Sequence, residues 1–170
     1  VQKGDTVTIA GIPLTVAGVK PEEGTVKIIF QVVGATTELL NHVPEGGYLQ
    51  DFVGPLGNPT QTEGIKKVCI VGGGVGCAIA YPQAKALFNR GIDTTVIAGF
   101  RNKEIVILED EFKAACTDLI ITTDDGSYGK QGFVTTALEE LIQSGKKFDA
   151  VIAIGPVPMM KFVCSVTKKY

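Results

Sequence analysis

The sequence predicts a small antiparallel β domain followed by an α/β domain of the nucleotide-binding type, built on a parallel sheet. Three observations predict it. Residues 1–60 carry short β-branched runs cut by turn residues. Residues 61–170 alternate continuous apolar strands with helical stretches, the pattern of a parallel sheet covered on both faces. Between them Gly54-Pro55-Leu56-Gly57-Asn58-Pro59 reads as a hinge, since glycine frees and proline restricts the backbone.

In the first part the expected strands are Thr6–Ala10, Leu14–Val19, Thr25–Val33 and Tyr48–Val53. Their separators are Gly11-Ile12-Pro13, Lys20-Pro21-Glu22-Glu23-Gly24 and Pro44-Glu45-Gly46-Gly47. One short helix is expected at Thr36–Asn41, with threonines able to cap its start. In the second part strands are expected at Lys67–Val71, Thr94–Ala98, Asp118–Thr122 and Ala150–Ile154. Helices are expected at Cys77–Arg90, Lys103–Ala115, Val134–Ser144 and Pro158–Lys169.

Composition narrows the function classes. The chain has 170 residues, 45% hydrophobic and 20% charged, with a net charge of −2. That balance suits a folded globular chain and provides no basic field for nucleic acid. The longest uncharged run, Val68–Ala84, is broken by three consecutive glycines and Pro82, so no membrane span is expected. Cys69, Cys77, Cys116 and Cys164 form no CxxC pair and read as reduced thiols of a cytoplasmic protein. No basic-then-apolar leader opens the chain, so secretion is not expected; it starts at Val1 without Met inside strand-like sequence, so a fragment or a processed product is expected.

The most informative segment is Val68-Cys69-Ile70-Val71-Gly72-Gly73-Gly74-Val75-Gly76, where the first parallel strand hands over to its helix. Small residues there let backbone N–H groups approach a pyrophosphate, and the helix N-terminus adds partial positive charge. The match to GxGxxG is incomplete: counted from Gly72, the third glycine position holds Cys77. No acid ends the second strand, where Gly99-Phe100-Arg101 stands instead. Two further loops leave strand carboxyl ends, Thr122-Thr123-Asp124-Asp125-Gly126-Ser127-Tyr128-Gly129 and Ile154-Gly155-Pro156-Val157-Pro158-Met159-Met160. Three glycine-bearing loops on one sheet edge define a crevice, although Asp124 and Asp125 also suit an Asx turn and the methionines also suit a core.

Taken in order, these loops and the Gly54–Pro59 segment resemble the ferredoxin–NADP reductase superfamily, in its dihydroorotate dehydrogenase electron-transfer subunit branch. Within that branch, Gly99-Phe100-Arg101-Asn102-Lys103-Glu104 with Glu109-Asp110-Glu111-Phe112 is most similar to small subunits of NADH-dependent reduced ferredoxin:NADP oxidoreductases, also called sulfide dehydrogenase small subunits. The resemblance implies a Greek-key β-barrel holding FAD, an NAD(P) domain, and a C-terminal cysteine cluster for [2Fe-2S]. It assigns FAD contacts to Ile12, Pro13, Leu14 and Thr15, where Ile12 replaces the family's flavin-site arginine. Ile29, Phe30 and Gln31 on the next strand, then Gly34, Thr36 and Thr37 at the short helix, complete that set. NAD(P) contacts fall on Gly72, Gly73, Gly74, Gly76, Arg101, Thr123, Asp125, Gly126, Gly155, Pro156 and Met159. The family's first barrel strands and its iron–sulfur ligands are expected to be absent from this sequence, leaving no metal site.

The activity so implied is hydride transfer from NAD(P)H to FAD, then single electrons to an iron–sulfur centre and a larger flavin and iron–sulfur partner subunit, with ferredoxin a possible further partner. Stacked rings need no proton-abstracting triad. The single histidine, His42, sits in a turn and reads as a surface or capping residue. Arg101 and Lys103 suit a 2′-phosphate; Arg101 equally suits a pyrophosphate clamp or an ion pair with Glu104 or Asp110. The alternatives are a dihydroorotate dehydrogenase electron-transfer subunit, and a nucleotide-binding module without redox turnover.

Overall fold

The computed structural model describes residues 6–9, by their backbone, and residues 12–170. Ala10 of the first expected strand and Gly11 of the first expected turn lie outside them. The chain divides into two compact units, Val1–Gln61 and Thr62–Tyr170.

The first unit holds β1 (Thr6–Ile9), β2 (Ile12–Lys20), β3 (Thr25–Ile28), α1 (Ala35–Asn41) and β4 (Phe52–Leu56). The four strands form one antiparallel sheet in the order β3-β2-β1-β4. Three consecutive strands joined in sequence, with the fourth returning beside the first, is the Greek-key order. Adjacent residues Val16 and Ala17 are both buried, which simple alternation forbids, and the β2–β3 register shifts between Val16 and Gly18. A 3-10 turn at Pro21–Glu23, closed by Gly24 at φ 64°, links β2 to β3.

Two expected boundaries in this unit are corrected. β3 stops at Ile28, so Ile29, Phe30 and Gln31 follow the strand instead of lying in it. Val16 is the last partner of β3 on β2, paired with Ile28, and beyond it the chain turns away toward α1. β4 lies over Phe52–Leu56 and not Tyr48–Val53, so Gly54, Pro55 and Leu56 of the expected hinge are strand. β1 enforces this by pairing with Phe52, Val53 and Leu56. An edge strand tolerates proline, because the missing N–H can face the open side.

The second unit runs β5 (Lys67–Gly73), α2 (Gly76–Asn89), β6 (Asp93–Phe100), α3 (Glu109–Lys113), β7 (Asp118–Thr123), β8 (Lys130–Gln131), α4 (Val134–Gln143), β9 (Ala150–Ile154) and α5 (Val157–Thr167). Its sheet is parallel throughout, ordered β8-β7-β6-β5-β9. Both faces are covered. Val68 and Ile70 of β5 join Ala80, Ala84 and Leu87 of α2 and Phe112 of α3 in one core. Cys69 and Val71 point the other way, to Val134, Ala137 and Leu138 of α4 and Val163 and Val166 of α5. Period-two alternation on a strand buried on both faces produces this division.

The helix expected at Lys103–Ala115 is mostly absent. A 3-10 turn at Lys103–Ile105 gives way to extended backbone, Leu108 sits at φ 61°, and only Glu109–Lys113 is helical. Ile105, Val106 and Ile107 are β-branched and poor in a helix interior, and Val106, Ile107 and Leu108 pack against the α2-side core. Tyr81 of α2 meets Phe112 edge-on with ring centroids 5.6 Å apart.

Among the described residues no helix is long and apolar enough to cross a membrane.

Candidate functional site

The second unit's strand order creates the site. From β5 the chain crosses through α2 to β6 on one side, whereas β9 joins β5 on the other side. Ligands of open α/β sheets collect outside the strand carboxyl ends at such a switch point. Here that point lies between the β5–α2 turn and the β9–α5 turn.

The glycines of the β5–α2 turn have different jobs. Only Gly74 is open: it takes φ +55°, and a Cβ there would meet nothing within 4 Å. The other three are close approaches. A Cβ on Gly72 would lie 2.8 Å from Cys77 Sγ, and one on Gly73 would lie 2.5 Å from Met159 Sδ. On Gly76 it would lie 2.5 Å from the Ile154 carbonyl oxygen and 2.9 Å from Gly155 Cα. Thus β5 and β9 press their turns together, backbone on backbone. Gly155 faces Met159 in the same way, with Cε 2.9 Å from an added Cβ. Pro156 precedes α5 as its N-cap residue. The Met159 thioether therefore fills the space between two facing glycines and packs on the α4–α5 core.

Backbone polarity at the turn suits an anion. Gly74 N–H donates to the Gly99 carbonyl at 2.8 Å, and Cys77 and Ala78 N–H turn back to Gly74 and Val75. No backbone carbonyl among the described residues accepts from Gly76 N–H. That amide opens α2, a helix of 14 residues, where the aligned dipoles are most positive. Cys77 is not a reactive thiol; burial pushes its pKa up to about 12 against a smaller opposing effect from the Gly99 backbone.

Arg101, Thr123, Asp125 and Gly126 meet at the neighbouring carboxyl ends of β6 and β7. Asp124 N–H donates to the Phe100 carbonyl at 3.1 Å and Asp125 N–H to the Arg101 carbonyl at 3.3 Å, lacing the two loops. Asp125 forms an Asx turn, its Oδ1 accepting Ser127 N–H at 2.9 Å and Ser127 O–H at 2.6 Å. The Ser127 hydroxyl, then its N–H, hold the Asp125 carboxyl below the usual carboxylate range. Thr123 is buried and its hydroxyl donates to the Tyr128 carbonyl at 2.6 Å. Arg101 is exposed, and no carboxylate among the described residues pairs with it.

Several contributors to this edge were invisible from spacing. Gly99 gives Val134 of α4 room to sit against β6. Tyr128 Oη donates to Glu109 Oε1 at 2.9 Å across 19 residues. Glu109 also accepts Lys113 Nζ at 2.7 Å. Lys113, then the Tyr128 hydroxyl, hold the Glu109 carboxyl below its ordinary range.

The residues expected to contact FAD lie in the first unit. Ile12, Pro13, Leu14 and Thr15 are on β2, with Leu14 paired to Val7 and Thr15 to Thr6. Ile29, Phe30 and Gln31 lie between β3 and α1. Gly34 is the N-cap of α1 at φ 85°, Thr36 is half-buried, and the buried Thr37 hydroxyl accepts Val33 N–H at 2.7 Å and donates to the Gly34 carbonyl at 3.1 Å. Val33, Leu39, Tyr48 and Val53 expose large apolar surface, Tyr48 to 95%. His42 is exposed, its Nδ1 2.7 Å from the Glu38 carbonyl.

The sequence profile of the oxidoreductase NAD-binding domain matches residues 70–165, from inside β5 into α5. The chain belongs to the oxidoreductase NAD-binding domain family.

The match spans the whole crevice just described. A Thermotoga maritima protein named dihydroorotate dehydrogenase B (NAD(+)), electron transfer subunit homolog is 49% identical over 89% of this chain and 53% of its own length. A Fusobacterium nucleatum dihydroorotate dehydrogenase B (NAD(+)), electron transfer subunit is 36% identical over 88% of this chain and 58% of its own. A structure solved in work on flavin-based electron bifurcation, that of an NADH-dependent reduced ferredoxin-NADP oxidoreductase, superimposes with a TM-score of 0.90 and 40% identity. That alignment covers 99% of this chain and 62% of the solved one. The chain therefore spans about half the length of the curated relatives it matches. The NAD-binding domain with its preceding antiparallel unit thus has the ferredoxin–NADP reductase-like fold.

Proposed function

We propose that this chain is the nucleotide- and flavin-binding part of an electron-transfer subunit that takes hydride from NAD(P)H. The observation that carries the reading is the β5–α2 turn at the switch point: one open glycine, one unaccepted amide at the start of α2, and backbone pressed against β9. Such a turn suits a pyrophosphate, because backbone amides and the helix N-terminus meet its charge at close range.

Gly74 and Gly76 would approach the pyrophosphate, and Arg101 would meet phosphate on the adenosine half. The Asp125–Ser127 turn and Thr123 would hold the β7 loop against β6, while Gly73, Gly155, Pro156 and Met159 would set the height of the nicotinamide floor. FAD supplies the two-electron to one-electron conversion when bound. Its ring would rest on the apolar residues of the first unit, around Ile12, Leu14, Ile29 and Phe30, with Gly34, Thr36 and Thr37 at α1 and Pro13, Thr15 and Gln31 beside them. Ile12 stands where the resemblance places the family's arginine, so that binding would rest on apolar area and loop amides.

The partner we propose is a larger flavin and iron–sulfur subunit that accepts single electrons, and the compartment is the cytoplasm. The names of the relatives and the four unpaired cysteines support this. The test is an absorption spectrum of the purified chain reconstituted with FAD, followed by anaerobic titration with NADH and NADPH. A flavin band that bleaches with one equivalent of reduced nucleotide supports the reading. A chain that binds NAD yet never holds FAD overturns the redox part and leaves a nucleotide-binding module.

A further inference from the structure

The lacing between the β6 and β7 loops includes a side-chain arrangement that the nucleotide reading leaves unused. Lys103 N–H donates to Ser127 Oγ at 2.8 Å, so the 3-10 turn after β6 is tied to the β7 loop. The Lys103 ammonium stands 5.5 Å from the centroid of the Tyr128 ring. The ring is fixed in turn, because Tyr128 Oη donates to Glu109 Oε1 at 2.9 Å. The same Glu109 oxygen also accepts Lys113 Nζ at 2.7 Å, with Asp110 3.6 Å from that ammonium. Neither Arg101 nor Lys103 has an ion-pair partner among the described residues.

A lysine on a four-carbon stem normally samples many rotamers, and a bound anion must then order it. Stacking the ammonium on a tethered ring removes part of that cost in advance. We propose that Tyr128 and Glu109 are positioning residues for anionic adenosine phosphates: the Tyr128 ring, anchored through its hydroxyl to Glu109, holds Lys103 in the turn after β6, two positions on from Arg101. The inference rests on the nucleotide reading given above. It adds that affinity for the adenosine half depends on two residues that need not touch the ligand.

The experiment is calorimetric titration of the whole chain with ADP, for wild type, Tyr128→Phe, Tyr128→Leu, Lys103→Met and the double variants. Tyr128→Leu should weaken ADP binding roughly two- to five-fold, the worth of an exposed cation–π contact. Tyr128→Phe keeps the ring and loses the tether, so it should fall between. In the Lys103→Met background neither tyrosine change should matter further, because the tyrosine acts only through that lysine. A loss of equal size with and without Lys103, or wild-type affinity in both tyrosine variants, overturns the proposal. If Tyr128→Leu fails to fold, the Tyr128→Phe cycle decides alone. Wild-type protein that binds no ADP overturns the nucleotide reading along with this inference, whereas normal binding without the coupling overturns this inference alone.

Discussion

Gly76→Ala tests the claim that the β5 and β9 turns are held by direct backbone contact. The new Cβ would stand 2.5 Å from the Ile154 carbonyl oxygen, 2.9 Å from Gly155 Cα and 3.0 Å from the Ile154 carbonyl carbon. Ordinary contact begins near 3.4 Å, so the start of α2 and the end of β9 must separate by about 0.9 Å. None of these atoms can rotate away, because all three are main chain. Overpacking of this kind costs about 1–3 kcal/mol. Alanine returns up to about 1 kcal/mol through helix propensity, since Gly76 begins α2. The middle of that range less the full propensity gain leaves a loss of about 1 kcal/mol, or roughly 2–4 °C in melting temperature. A displacement approaching 1 Å at the amide proposed to meet the pyrophosphate should also weaken ADP binding, by roughly ten-fold or more. Urea unfolding followed by circular dichroism, beside calorimetric titration with ADP, reads both effects. Gly74→Ala is the internal control: it meets no neighbour but must hold φ +55°, costing about 1–2 kcal/mol in strain without moving β9. A Gly76→Ala protein with wild-type stability and wild-type affinity would refute the backbone-contact reasoning.

Three further outcomes are expected. Gly99→Ala would drive a methyl into Val134 Cγ1, a stiff β-branched group, and should cost about 1–3 kcal/mol; adding Val134→Ala should recover part of it in urea unfolding, and simple additivity would refute the contact. Asp149 joins the amino ends of β5 and β9, its Oδ2 accepting Lys66 N–H at 2.9 Å and Lys67 N–H at 2.8 Å. Those bonds hold its carboxyl below the usual range, so its contribution is present above the ordinary carboxylate pKa and fades as pH falls through the lowered one. Asp149→Asn should then flatten the acid limb of stability measured from pH 6 to 2, and an unchanged limb would contradict the assignment. Burial pushes Cys69 and Cys77 up to about 12 and Cys116 up to about 11, while Cys164 is exposed. Iodoacetamide at pH 8 should therefore label one thiol per native chain, as counted by mass spectrometry, and rapid labelling of Cys69 or Cys77 would mean the core is not closed.

Much of the architecture was legible in local pattern. β5, β9 and α4 were foreseen within two residues at either end, because a strand buried on both faces is continuously apolar and a glycine stands past the end of α4. The ends of β3 and β4 were not. Their limits depend on which residues of β2 and β1 remain available to pair, and that is a property of the assembled sheet. The Lys103–Ala115 stretch failed for a related reason. Its acidic and apolar residues have helical spacing, yet Val106, Ile107 and Leu108 gain more by packing against the α2-side core than a helix would return.

The residue pattern alone determined that a glycine-bearing turn follows the first parallel strand and that other glycine-bearing loops share its edge. Which glycine stays free of neighbours was a tertiary decision. Gly73 and Gly76 are 79 or more positions away from Gly155 in the chain, and only the β5–β9 pairing presses them together and leaves space around Gly74. The Tyr128–Glu109 tether and the Met159 thioether between facing glycines have the same origin. Periodicity reports which face of an element is buried. It carries no information on which atoms from remote elements compete for the same few ångströms.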